Sequence, residues 1–194
     1  MFGVTELCMM TIDNPGLVNA YLEHEHQITL RTLDVLAKCG VDIIRRNGFY
    51  ETADFYGPET LETFLGARIR REVQAARTAG MLTSYTVNTG VMPILDYLAS
   101  LGFDSIFGID IAFKGVELPA LKAKLGERMS LWIGPSSVFH IRRGPEFTRD
   151  AVRDVFEVIG RKGLILVPCV SAHSIMPWES TLAMIDEWKK LRRA

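Results

Sequence analysis

The sequence has few cysteines and no long apolar run. Its three cysteines, Cys8, Cys39 and Cys169, are scattered and form no C-x-x-C pair. This spacing favours reduced thiols in the cytoplasm over a disulfide framework or a zinc knuckle. No apolar run reaches the roughly 18 residues of a membrane span, and the segment MFGVTELCMMTIDNPG lacks the basic region of a signal peptide. We therefore expect a cytoplasmic location and no membrane partner.

The sequence also lacks an excess of charge of either sign. Lys and Arg number 22 and Asp and Glu 23, which leaves a formal net charge of −1. No overall field therefore attracts nucleic acid or an anionic membrane. The glycine motifs G-x-G-x-x-G, G-x-x-x-x-G-K-[S/T] and G-x-S-x-G are absent as well. We therefore expect no nucleic-acid partner, no nucleotide-cofactor site of either common kind and no serine-hydrolase elbow.

What the sequence does contain is an alternation of short apolar runs with amphipathic stretches. The apolar runs are 41–48, 81–90, 103–110, 129–134 and 163–170. Strands that alternate with helices are typical of βαβ units and a parallel sheet. A closed eight-stranded barrel typically needs about 250 residues, whereas this chain has 194. The pattern predicts one α/β domain that is either an open sheet or the later part of a barrel.

Proline, asparagine and glycine mark the predicted helix ends. Asn14 and Pro15 predict the start of a long helix, and Gly40 its end. Residues 1–13 are predicted to form no element of their own, and Thr148 is predicted to cap a helix. The other predicted helices cover 58–78, 93–102, 118–125 and 178–192.

Polar side chains follow every predicted strand, where parallel α/β proteins build their sites. In chain order they are Arg46, Asn47, Tyr50, Glu51, Asp54, Tyr56, Asn88, Thr89, Asp110, Ser136, Ser137, His140, Arg142, Arg143, Cys169, Ser171 and His173. Loop polar groups and helix caps occur without any site, so each residue is equally consistent with that role.

Three kinds of chemistry are available within this set. Carboxylates can take acid–base roles when burial or mutual repulsion shifts their pKa. A guanidinium can hold a substrate carboxylate with two hydrogen bonds, and an imidazole can shuttle a proton. We predict Glu51, Asp54 and His173 as catalytic residues. We predict as substrate-binding residues Arg46, Tyr56, Asn88, Asp110, Ser136 and Arg143.

No metal site is predicted. His24 and His26 lie two residues apart on a helix, so they point to different faces and are expected to be solvated. Cys169 and His173 could supply two zinc ligands, but structural zinc usually has four protein ligands and catalytic zinc three. We expect Cys169 to pack as a small apolar residue instead.

Four segments carry a longer pattern: NPGLVNAYLEHEHQITLRTLDVLAKCGVDII (14–44), ETADFYGPETLETFLG (51–66), LDYLASLGFDSIFGID (95–110) and GLILVPCVSAHSIMPWESTLAMIDEWKKL (163–191). In this order and spacing they resemble the carboxyl-terminal two-thirds of the uroporphyrinogen decarboxylase superfamily. The resemblance implies a partial TIM (β/α)8 barrel, with about five parallel βα units preceded by a long helix. It also implies that residues 1–194 form a single domain that lacks the amino-terminal barrel strands.

The resemblance implies two enzymatic functions. Decarboxylases of the superfamily are carboxy-lyases of porphyrin and heme biosynthesis, which remove acetate carboxyls from uroporphyrinogen without a cofactor. By loop position, Glu51 falls about where they carry a substrate-contacting serine. Their last-strand histidine falls near Val170, with His173 a displaced candidate. Sister members are zinc-dependent methyltransferases that act on corrinoids, with an H-x-C-G motif and a cysteine in the last strand. Residues 87–90 read Val-Asn-Thr-Gly here, so only Cys169 remains.

Our leading hypothesis is therefore a uroporphyrinogen decarboxylase-like protein that binds a polycarboxylated tetrapyrrole. The alternatives are a corrinoid-dependent methyltransferase of the same superfamily and a non-catalytic binding or assembly protein. Each enzymatic hypothesis implies a small anionic substrate, a tetrapyrrole or a corrinoid. A partial barrel leaves strand edges unpaired, and unpaired edges invite pairing. We therefore expect a homo-oligomer, or a partner chain that completes the barrel.

Overall fold

A computed structural model describes residues 3–169 and 176–193, and its centre is one sheet of five parallel strands. The strands are β1 (Ile43–Asn47), β2 (Leu82–Thr86), β3 (Ser105–Phe107), β4 (Ser130–Ile133) and β5 (Leu164–Leu166). They pair in the order of the chain, each parallel to the next. All five predicted strands are confirmed. Sequential parallel order with helical connections is the arrangement found in part of a TIM-like barrel.

Eight α-helices flank the sheet in the described ranges. They are α1 (Val4–Asp13), α2 (Pro15–Lys38), α3 (Pro58–Leu61), α4 (Ala67–Thr78), α5 (Leu95–Ser100), α6 (Leu118–Leu121), α7 (Pro145–Ile159) and α8 (Trp178–Leu191). A π-helical turn, Glu62–Gly66, joins α3 to α4, and a second, Lys122–Gly126, follows α6. Short 3-10 turns cover Met92–Ile94 and Ile141–Arg143.

The long helix α2 begins and ends as the sequence predicts. The Asn14 side chain accepts a hydrogen bond of 3.2 Å from the backbone N–H of Leu17, which satisfies one of the free donors of the first turn. Pro15 occupies the first helical position. Gly40 follows the helix with a φ of +73°, a left-handed conformation that glycine adopts without strain.

Two predictions about helices were wrong. Residues 4–13 form α1, which packs against α2, because tertiary contact supports a short helix whose sequence carries no clear start signal. Thr148 does not cap a helix, since α7 already begins at Pro145 after Gly144. The Thr148 hydroxyl lies inside the helix and donates a hydrogen bond of 2.9 Å to the carbonyl of Gly144.

The hydrophobic core lies on the side of the sheet that the helices cover. Ile106 of β3 and Leu131 of β4 are each only 1% exposed there. On the opposite side of the sheet, Ile43, Leu82 and Ile165 are 49%, 54% and 39% exposed. We call this side the open face. Among the described residues, β1 and β5 each pair with one strand only, so the sheet has two edges.

No helix of the described ranges is both long enough and apolar enough to cross a membrane.

Candidate functional site at the strand ends

Arg45 and Arg46 are neighbours on β1, but they point to opposite faces of the sheet because side chains alternate along a strand. The Arg45 guanidinium lies on the open face, 4.1 Å from the ring centre of Phe107 and 5.4 Å from that of Trp132. The Arg46 side chain points toward the helices. Of these two arginines, therefore, it is Arg45 that faces the interior of the partial barrel.

Arg46 is the centre of an ion network behind β1 and β2. Its Nε and Nη2 donate to the two carboxylate oxygens of Glu51 at 3.1 and 2.6 Å, and its Nη1 donates to Glu72 at 3.0 Å. His26 Nδ1 lies 2.7 Å from the other Glu72 oxygen. The Tyr85 hydroxyl donates to Glu51 at 2.6 Å. We call these five residues the ion network.

The electrostatics of the ion network keep Arg46 charged and Tyr85 neutral. Burial alone would lower the pKa of Arg46, but the charges of Glu51 and Glu72 and the hydrogen bonds to Glu51 raise it above the usual range. Burial and the Glu51 charge both raise the pKa of the Tyr85 hydroxyl. Tyr85 therefore stays a hydrogen-bond donor at neutral pH.

His26 corrects a prediction, because it is buried and not solvated. Its exposed fraction is 2%, since α2 packs against α4 and places the Glu72 carboxylate beside the imidazole. His26 Nε2 has no hydrogen-bond partner among the described residues. The separation of His24 and His26 still prevents a shared metal ion.

A second group of polar residues, the strand-end cluster, lies at the carboxyl ends of β3, β4 and β5. It consists of Asp110, Ser136, His140 and Cys169. The Ser136 hydroxyl donates to Asp110 at 3.0 Å, and both residues are buried. The Ser136 backbone N–H donates to His140 Nδ1, also at 3.0 Å. Burial lowers the pKa of His140, which keeps the neutral ring that this bond requires.

Cys169 packs without exposure beside Asp110. Its thiol donates to the carbonyl of Gly108 at 2.8 Å. Burial and the nearby Asp110 charge raise the pKa of the thiol well above its usual value, so it stays protonated. Within the described part of the chain, no three His, Cys, Asp or Glu residues are grouped as metal ligands. The described residues at this site therefore do not fit zinc.

Three more of the predicted site residues lie in the loops that follow the carboxyl ends of the strands. Asp54 accepts a hydrogen bond of 2.6 Å from the Thr89 hydroxyl, which links the loops after β1 and β2. The carbonyl of Asn88 accepts from the backbone of Asp110 at 2.9 Å. Arg143 stacks on the ring of Phe147 at 3.7 Å.

Tyr56 and His173 complete the predicted set. Burial, followed by a hydrogen bond with Cys8, raises the pKa of the Tyr56 hydroxyl. His173, together with Ser171 and Val170, lies outside the described residues. The structure thus brings Asn88, Asp110 and Ser136 together at the strand ends, and it places Arg46 with Glu51 behind β1.

Sequence reasoning missed Glu72 and Arg45. A usable signal existed for Glu72, which lies on the same helix face as Ile69, Val73 and Ala76, all of them buried. A carboxylate on an apolar helix face is almost never left unpaired. For Arg45, the alternation of side chains along β1 indicates only that it faces away from Arg46, and not which face it occupies.

The comparisons with known proteins concern the fold. No family model matches the sequence, and a search of curated proteins finds no match. Among solved structures, a methyltransferase from Methanosarcina mazei matches with a TM-score of 0.80 and 19% identity, over 97% of this chain and 53% of that chain. The chain therefore spans about half the length of that methyltransferase. At this identity the likeness establishes fold alone: the chain has an α/β fold with a five-stranded parallel sheet, as in part of a TIM-like barrel.

Proposed function

We propose that this chain forms part of a methyltransferase barrel that binds a corrinoid at the carboxyl ends of its strands. The observation that carries the proposal is the match to a methyltransferase over almost the whole chain. The resemblance of the sequence to a superfamily with corrinoid methyltransferases supports the substrate class. Nothing in the comparisons supports tetrapyrrole decarboxylation, so the alternative hypothesis becomes the leading one.

Asn88, Asp110 and Ser136 are the proposed substrate-binding groups. Corrinoids carry amide side chains, which donate hydrogen bonds that a carboxylate accepts. Asp110 Oδ2 already accepts from the Ser136 hydroxyl, and this bond holds the carboxylate in place. His140 is a positioning residue, because it accepts a hydrogen bond from the backbone of Ser136.

Glu51, Asp54 and His173 stay predicted catalytic residues, and Arg46, Tyr56 and Arg143 stay predicted substrate-binding residues. The Glu51 carboxylate already accepts three hydrogen bonds, from Arg46 and Tyr85. A carboxylate has about four acceptor positions, so one is left for a ligand. Asp54 is exposed on the loop after β1, where a bound substrate can reach it.

We derive no zinc-assisted step. Cys169 is buried and its thiol donates a hydrogen bond to the carbonyl of Gly108, and the described residues offer no group of three His, Cys, Asp or Glu side chains around it, whereas catalytic zinc needs three protein ligands. Metal analysis of the purified chain should find no stoichiometric zinc. Tightly bound zinc at one equivalent would contradict this part of the proposal.

Equilibrium dialysis of the full chain against methylcobalamin tests the proposal. We expect saturable binding, and we expect Asp110→Asn combined with Ser136→Ala to weaken it by about tenfold, the usual effect of losing a hydrogen bond to a charged group. Asp96→Asn is the matched control, since Asp96 is exposed on α5 and pairs with Lys124 at the surface. Absence of binding, or equal binding by the double variant, would overturn the proposal.

The open face supports a second proposal, an assembly function. Ile43, Leu82 and Ile165 expose apolar surface beside two sheet edges, and exposed apolar surface of this kind marks association sites. Light scattering should detect a homo-oligomer that Leu82→Glu with Ile165→Glu dissociates. Leu182→Glu on α8, where Leu182 is 44% exposed, should have no effect. A monodisperse monomer would contradict the homo-oligomer.

A further inference from the structure

A cavity of about 200 Å³ lies behind β1, between α1, α2 and the segment from the β1 loop to the π-helical turn. Its apolar walls are formed by Leu7, Val18, Leu22, Leu61, Phe64 and Leu65. Asn88, Asp110 and Ser136, the groups proposed to bind the corrinoid at the strand ends, do not line it. The cavity is therefore separate from the strand-end cluster.

Five polar residues also line this mostly apolar cavity, namely Glu51, Tyr56, Thr11, Tyr50 and Thr60. The Glu51 side chain is 18% exposed, and the network that fixes it leaves one of about four acceptor positions free. Tyr56 stays protonated, because burial and its hydrogen bond with Cys8 raise its pKa. The cavity thus offers one fixed anionic acceptor, Glu51, and several neutral hydroxyl groups, of which Tyr56 is one.

The volume of the cavity limits what can enter it. An engineered apolar cavity of about 150 Å³ binds benzene, and this cavity of about 200 Å³ is large enough for a substituted six-membered ring. A tetrapyrrole or a corrinoid is far too large. The mostly apolar walls also favour an apolar molecule over ordered water, which needs several polar partners.

The negative charge of Glu51 determines which small ring compounds can bind in the cavity. An anionic ligand would place a second negative charge beside Glu51 in apolar surroundings, which is costly. A ring without a donor would fill the space but leave the free acceptor of Glu51 unpaired. A neutral ring with one O–H or N–H group satisfies both requirements.

We propose that this cavity is a binding site for one small neutral aromatic molecule, such as a phenol, whose hydroxyl donates to Glu51. The site lies outside the strand-end cluster, so it is a function in addition to the proposed corrinoid binding. Helix α1 covers the cavity through Leu7 and Thr11, and a ligand therefore also holds α1 against α2.

Isothermal titration of the full chain with phenol, toluene and benzoate tests the proposal. We expect phenol to bind about tenfold more tightly than toluene, the gain from one hydrogen bond to a charged acceptor, and benzoate not to bind. Glu51→Gln should remove most of the preference for phenol over toluene. Failure of phenol to bind, or tighter binding of benzoate, would overturn the proposal.

Filling the cavity provides the second arm of the test. Leu7→Phe should abolish binding of phenol and toluene alike. Met9→Phe is the matched control on the same helix, because Met9 is 52% exposed and does not line the cavity. If Leu7→Phe does not fold, Leu65→Phe fills the space from the opposite wall. Unchanged phenol binding in a folded filled variant would overturn the proposal, and methylcobalamin binding by that variant reports on the corrinoid site separately.

Discussion

The two faces of the sheet are built by the same five strands, yet their aliphatic side chains differ in exposure. On the helix-covered face, side chains such as Ile106 and Leu131 are almost fully buried, whereas Ile43, Leu82 and Ile165 of the open face keep large exposed fractions. The difference follows from the alternation of side chains along each strand. The helix-covered face therefore carries most of the stability of the fold, and the open face is available for binding.

Polar residues follow the same division. Arg46 forms ion pairs with Glu51 and Glu72 on the helix-covered face, whereas Arg45, one residue earlier, only stacks on the two rings of the open face. One position along the strand thus decides whether a guanidinium holds elements together or meets a binding surface. Substitutions at matched positions on the two faces can test this difference.

The largest effect is expected in the core. Leu131→Ala should lower the free energy of unfolding by about 2–5 kcal/mol, the usual cost of a cavity left in a packed interior. Ile165→Ala, on the neighbouring strand but on the open face, should lower the free energy of unfolding by about 1 kcal/mol, because the Ile165 side chain buries less apolar area. Urea unfolding of both variants measures the difference. Equal costs would mean that the open face is covered in solution.

A smaller effect is expected in the ion network. Arg46→Met removes the cation between Glu51 and Glu72 and should cost about 3 kcal/mol, near the lower end for a broken buried ion pair, since the Arg46 side chain is 26% exposed. Arg45→Met should cost about 1 kcal/mol or less, the range of an exposed cation–π contact. Urea unfolding again provides the measurement.

The ion network also has an internal control. Adding Glu51→Gln to Arg46→Met should recover part of the lost stability, because it removes one of the two neighbouring carboxylate charges that lose their shared cation. If the double variant is less stable than Arg46→Met alone, repulsion between the carboxylates is not the cause of the loss.

The sequence predicted the parts of the fold that local signals encode. Apolar runs identified the five strands, and Asn14 with Pro15 identified the start of α2. The helix α1 was missed because its stability comes from packing against α2, and no residue within it marks a start. Thr148 resembles a cap in sequence, but Pro145 already starts the helix.

The candidate site was harder to predict, because it depends on which face each residue occupies. Asn88, Asp110 and Ser136 each follow a strand in the sequence, which correctly indicated that they lie together at the carboxyl ends of the strands. The orientation of Arg46 depends on the phase of β1 relative to α2 and α4, which local sequence does not encode. The burial of His26 likewise depends on Glu72, a residue 46 positions away.

The smallest effect is expected at the carboxyl ends of the strands, where His140 links stability to pH. Burial lowers the pKa of His140 from its ordinary value of 6.5, so the unfolded chain takes up the proton first as the pH falls. The contribution of the neutral ring is therefore fully present above pH 6.5 and is lost as the pH falls through the folded-state pKa.

His140→Asn tests this linkage, because the Asn side-chain oxygen can accept the hydrogen bond of the Ser136 N–H without titrating. Urea midpoints of both proteins between about pH 8 and about pH 5 provide the measurement. The wild type should lose about 1 kcal/mol more than the variant on acidification, the usual contribution of one hydrogen bond. The other titrating groups are common to both proteins and cancel in the difference. Parallel pH profiles would mean that folding does not lower the pKa of His140. The ring would then be in contact with solvent, and the strand-end cluster would be as exposed as the open face of the sheet.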